Sequence, residues 1–221
     1  MNCHVRNMIC LPQRSQEKCR IFLLILFVIA IELMQPTISC KNQDCSHLHR
    51  SLKFTKFMNW SASELLKTYR ASQGDSTDLI CEMQMDNVPE STISGQSIPE
   101  RILSVYTHLN EFLPHLRTVM EQQTDLDPPT NPVAEGLHSM IKYVRHFSVT
   151  VNCILQMLQP NIPVPEPAES PIGIPPAQNI FQQKAYGCIV LSRLQELLSQ
   201  AVHEQKFIRS KICRKRTKNI V

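Results

Sequence analysis

Apolar residues recur along most of this chain at intervals of three and four, the period of a helix with one buried stripe, so four long helices and no strands are predicted. The first covers about Ser46 to Ser72, where Leu48, Leu52, Ala62, Leu65, Leu66 and Tyr69 can share a face. Within it, Ser61-Ala-Ser-Glu64 has the pattern of a capping box, so a kink or restart is expected there, and Gln73-Gly74 ends the run. The second starts at Ser97-Ile-Pro-Glu100, with Ser97 as N-cap, Pro99 in the first turn and Glu100 placed to bond back. Its stripe is Ile102, Val105, Leu109, Phe112, Leu116 and Val119; Pro114 should kink it, and Asp125 to Pro129 stops it. The third opens at Asn131-Pro132 and buries Leu137, Met140, Ile141, Val144, Val151, Ile154, Leu155 and Leu158. The fourth begins at Asn179 with Gln182 as reciprocal cap, turns Ile180, Leu191, Leu194, Leu198, Ala201 and Val202 inward, and frays into a basic end.

The links between these stripes decide the topology. Residues 73–96 are long enough to run the length of a helix, the second link is short, and residues 159–176 hold seven prolines that exclude a helix and favour an extended connector. A short link joins antiparallel neighbours, whereas a long one can return the chain to restart in the same direction. Long, short, long therefore predicts an all-α, up-up-down-down long-chain four-helix bundle with two long crossover loops. Helices of roughly 25 residues would each be about 38 Å long at the usual rise.

Composition narrows the setting. Ile21 to Ile31 is an unbroken apolar run behind Lys18 and Arg20, followed by Thr37-Ile-Ser39, so residues 1–39 are read as a secretory signal peptide (with a signal-anchor as the alternative, since about twenty residues precede the apolar run), residues 40–205 as the bundle and residues 206–221 as a basic tail. Six cysteines follow the cleavage point (Cys40, Cys45, Cys81, Cys153, Cys188 and Cys213), and in a secreted chain they are expected to form bridges, with connectivity open. Residues 40–205 carry twelve basic against seventeen acidic side chains, while residues 206–221 hold seven basic residues and no acid. Such an end suits heparan sulfate, a protease-cleaved region or a solvated extension. Asn59-Trp60-Ser61 is a glycosylation sequon.

Catalytic chemistry finds little footing. There is no Gly-x-Ser-x-Gly, no His-Glu-x-x-His and no phosphate-binding glycine loop, and five glycines leave little room for one. Cys40, Cys45, His47 and His49 superficially suggest a metal cluster, but their spacing fits no zinc pattern and oxidation would bridge the thiols. No enzyme, cofactor or metal site is expected, and nucleic acid is not an expected partner.

The octet Phe181-x-x-Lys184-x-x-Gly187-Cys188 carries the most specific signal. It sets an aromatic and a lysine one turn apart at the start of the last helix, with a cysteine one turn on. This arrangement resembles the last helix of the interleukin-6-type helical cytokines of the leukaemia inhibitory factor and oncostatin branch. Leu65-Leu66-x-x-Tyr69, then Gln73-Gly74 and Cys81, is similar to the end of their first helix. The resemblance implies bridges Cys45–Cys153 and Cys81–Cys188, leaving Cys40 and Cys213 to pair with each other, remain free or, for Cys40, leave with the signal. It implies that Phe181 and Lys184 dock on a leukaemia inhibitory factor receptor-type chain. It also implies a second site, on exposed faces of the first and third helices, for the shared signalling subunit of the interleukin-6 family; Lys53, Lys56, His146 and Thr150 are the candidates.

The expected activity is thus that of a secreted, monomeric cytokine glycoprotein, modified at Asn59, that bridges two receptor chains and starts JAK–STAT signalling in an immune response. The competing expectation is a secreted helical carrier, or a structural protein binding heparan sulfate.

Overall fold

Four helices make up the regular structure among the described residues of the computed structural model: α1 (Cys45–Gln73), α2 (Ile98–Leu126), α3 (Pro132–Leu158) and α4 (Ile180–Lys218). The described residues are 45–74, 81, 85–126, 132–165 and 179–218, all within the unit spanning Cys40–Val221. The expected leader over 1–39 and Cys40 lie outside them, as does most of the proline-rich connector.

Capping chemistry sets the helix ends. The Glu100 amide donates to Ser97 Oγ at 3.3 Å, and Glu100 Oε2 accepts from the Ser97 and Gln96 amides at 3.1 and 2.7 Å. Those two backbone donors hold the Glu100 carboxyl below its ordinary range. Gly74, at φ +95°, ends α1. The capping pattern at Ser61 goes unused, because α1 runs unbroken from Cys45 to Gln73 and buries Met58, Ala62 and Leu65 on the same face. α2 also continues across Pro114.

Contacts across the seams fix the directions. Ser51 donates to Gln205 near one end of α1 and Tyr69 reaches Lys184 near the other, so α1 and α4 are antiparallel. Phe54 packs on His146 while Leu65 meets Gly136, which makes α1 antiparallel to α3. Arg101 pairs with Glu204, and His115 meets Tyr186, so α2 is antiparallel to α4. α1 and α2 therefore run one way and α3 and α4 the other, each helix packing on the two that oppose it. Tyr69, Phe112, Phe147, Leu116, Leu137, Ile154 and Leu191 are among the large side chains fully buried between them.

Two expectations about α4 need correction. Ile180, assigned to the core, is 57% exposed, because it lies in the first turn, ahead of the buried run that starts at Ala185. The basic end is not frayed: α4 continues through Lys218, with Ile208 buried and Ile212 packed against the core, extending the apolar stripe by one turn at a time. That extension also corrects a disulfide. Cys45 is bonded to Cys213, with Cα atoms 5.7 Å apart, and not to Cys153. The α1–α4 register that sets His49 against Arg209 carries Cys45 opposite Cys213. Cys153 is disulfide-bonded as well.

Candidate functional site

The first two turns of α4 are anchored on three sides. Asn179 caps the helix, its Oδ1 accepting from the Gln182 amide at 2.9 Å and its carbonyl from the Gln183 amide at 3.1 Å. On the α1 side, the buried Tyr69 hydroxyl donates to the Lys184 carbonyl at 3.1 Å. Burial pushes the Tyr69 phenol well above its usual range, which keeps it a donor. Lys184 Nζ in turn donates to the carbonyl of Gln73 at 3.3 Å, on the last residue of α1. A cation at that point satisfies an orphan carbonyl and faces the negative end of the helix dipole. On the α2 side, Tyr186 lies 2.7 Å from Nδ1 of the buried His115. Desolvation lowers the His115 imidazole below its ordinary range and raises the Tyr186 phenol, so the pair shares a hydrogen bond between two neutral groups. Below these contacts Cys188 is bonded to Cys81, with Cα atoms 5.2 Å apart, the pairing the resemblance implied.

On this fixed turn the two residues singled out in the sequence behave differently. Phe181 projects outward, 53% exposed beside Ile180. Lys184 is half-buried and turned onto the end of α1. Gly187 is needed because a Cβ there would run into the Tyr69 hydroxyl and lie 2.7 Å from the ring carbon that bears it. The four fixed positions of the octet thus divide between display and anchorage. Phe181 faces solvent, Lys184 and Gly187 seat the turn on α1, and Cys188 staples it.

A second surface forms where α1 meets α3. Phe54 stands edge-on to Tyr143 and His146, with ring centroids 6.1 and 5.1 Å apart, and Phe57 packs on Tyr143 at 5.4 Å and on Trp60 at 6.2 Å. Phe57 is 43% exposed and Trp60 60%, so the outer half of this aromatic ladder faces solvent. A groove of about 250 Å³ opens between Trp60 and Tyr143, floored by Leu65 and Met140.

The four sequence candidates for this face lie one turn apart in two pairs, Lys53 with Lys56 on α1 and His146 with Thr150 on α3. Lys53 and Lys56 are exposed, but Lys56 is two turns from His49 and shares its side of α1, the side toward α4. His146 belongs to the aromatic ladder, and the Thr150 hydroxyl donates back to the His146 carbonyl at 3.0 Å. Asn59 is half-buried, accepting a 3.4 Å hydrogen bond from Gln195 of α4. The residues that sequence reasoning missed are Phe57, Trp60 and Tyr143. Their signal was present: Phe54, Phe57 and Trp60 recur every three residues, a spacing that drifts off the buried stripe and carries large aromatics toward solvent.

Residues 32–219 match the family model described as ciliary neurotrophic factor. No curated protein matches the chain.

Proposed function

Because the chain belongs to the ciliary neurotrophic factor family, whose members are long-chain helical cytokines acting through receptors, we propose that it is a secreted cytokine that bridges two different receptor chains. Proteins of this family are typically secreted and typically not enzymes, and no described helix is long and apolar enough to cross a membrane. In this reading a leukaemia inhibitory factor receptor-type chain takes the start of α4, and the shared signalling subunit of the interleukin-6 family takes the α1–α3 aromatic face. Bringing the two together starts JAK–STAT signalling. The work is done by geometry: two sites on one stiff body hold two membrane proteins at a set separation.

One observation carries the reading. Ile180 and Phe181 are exposed apolar side chains on a turn tied to α1 and α2 by hydrogen bonds and to Cys81 by a disulfide. A large aromatic displayed on a preorganised element is what a binding hot spot requires, since little ordering entropy is lost on docking. The test measures the purified protein against immobilised receptor ectodomains. Phe181→Ala should lose the leukaemia inhibitory factor receptor-type chain and keep the shared subunit; Trp60→Ala should do the reverse. Full activation of responsive cells by both variants would overturn the proposal.

A further inference from the structure

Where α1 begins and α4 finishes, these two helices carry a large excess of positive charge. No Asp or Glu occurs between residues 45 and 63, and between residues 197 and 218 the only acid is Glu204. Glu204 is already engaged: its carboxylate takes the Arg101 guanidinium at 2.9 Å, on the α2 side. The other acid at this end of α2, Glu100, is committed to its capping box.

Against that background Lys53 and Lys56 stand on α1, while Lys206 and Arg209 stand on α4; Lys211 lies instead over the Phe207 ring, which Arg101 of α2 also faces. The helices are antiparallel, and Arg209 meets His49 across the seam at 3.0 Å. One turn inward from that contact lie Lys53 on α1 and Lys206 on α4, so the register brings both to the same level. Both are exposed, and neither has a carboxylate partner among the described residues. The Cys45–Cys213 bridge locks the two strips together at their outer end. Residues 214–218 prolong α4 and add four more Lys or Arg to the sequence.

We propose that this two-helix basic seam is a binding site for a sulfated glycosaminoglycan of the heparan sulfate type. Held charges on two rigid, cross-linked helices form a linear track, which suits a stiff polyanion better than a point ligand. The sign of the partner follows from the charge, and its class from the compartment. The site is built around a disulfide, disulfides persist outside the reducing cytosol, and there the abundant linear polyanion is sulfated polysaccharide. The assignment shares the extracellular placement of the cytokine reading but none of its receptor contacts. It differs from a floppy basic extension, because half of the site is supplied by α1.

The probe is immobilised heparin, bound by the full mature chain across a range of salt. Wild type should bind with a steep salt dependence. Lys53→Gln with Lys206→Gln should weaken binding about tenfold or more at physiological salt and flatten the log–log salt slope by about 0.7 per lost contact, with an unchanged melting temperature. A chain ending at Cys213 should retain salt-dependent binding, and the same pair of substitutions should remove it. Phe181→Ala should bind heparin fully, which separates this site from the receptor reading. Three results would overturn the inference: loss of all binding on truncation at Cys213, indifference to the seam substitutions, or equal binding to desulfated heparin, duplex DNA or phosphatidylserine vesicles.

Discussion

The hydroxyl of Tyr69 on α1 occupies the space that a side chain at Gly187 on α4 would need, so the two helices approach closely beside the exposed Phe181 turn. Gly187→Ala should therefore destabilise the fold although alanine is the better helix former. Overpacking costs about 1–3 kcal/mol, against a helix-propensity gain of at most about 1 kcal/mol. Thermal unfolding should show a midpoint lowered by a few degrees. Tyr69→Phe removes the hydroxyl and should relieve only part of the penalty in a double-mutant cycle, because the ring carbon beneath it still lies 2.7 Å from the added Cβ. Additive effects of the two substitutions would contradict this packing.

Phe181 and Lys184 should separate in stability measurements. Phe181→Ala removes an exposed ring and should leave the melting temperature unchanged while weakening receptor binding by about 2 kcal/mol, roughly 30-fold. Lys184→Ala also removes the cation that caps Gln73, so it should cost about 0.3–1 kcal/mol of stability and speed amide exchange in the last turn of α1. Lys184→Arg should restore the cap. If Lys184→Ala leaves exchange at the end of α1 untouched, the lysine is a surface contact alone.

The sequence was most informative where one periodic pattern is satisfied by one buried face. The α2 stripe from Ile102 to Val119 and the Ser97–Glu100 capping box are both local patterns, and both are present as expected. What was not legible depends on register between distant segments. Whether Lys184 points to solvent or to Gln73 is set by the α1–α4 alignment, and nothing within the octet encodes it. The same alignment decides that Cys45 meets Cys213. The end of α4 was misread because seven positive charges in sixteen residues read as an unpacked segment, although Ile208 and Ile212 keep the helical period through it.

Peptide mapping without reduction should recover Cys45 linked to Cys213 and Cys81 linked to Cys188. A Cys45–Cys153 peptide would refute the α4 register. Removing the outer bridge through Cys45→Ser and Cys213→Ser should cost about 4 kcal/mol in the chain-entropy treatment. That figure is less than the full 168-residue separation would give, because the Cys81–Cys188 bridge is nested inside and shortens the effective loop. The loss should fall on the basic end of α4, with faster amide exchange around Ile208, while the turn at Phe181 stays protected by its own bridge.

Acid should weaken the fold through His115 before it reaches the carboxylates. The imidazole is buried and hydrogen-bonded to the Tyr186 hydroxyl, and desolvation sets its folded pKa below the ordinary 6.5; the Glu111 carboxylate opposes that shift only in part. The unfolded chain therefore takes up a proton at this position that the folded chain refuses, and stability falls as pH drops below about 6.5. Glu111 acts later. Its carboxyl, held low chiefly by the hydrogen bond with His108, favours the fold down to pH values below its ordinary 4.5 and loses that effect only as the folded pKa is crossed. Denaturant unfolding at pH 7.5 and 5.5 should show lower stability at 5.5. His115→Gln keeps a hydrogen-bonding group for the Tyr186 hydroxyl but does not titrate, so it should remove most of that difference. An equal drop between the two pH values in the variant would place the acid-sensitive group elsewhere.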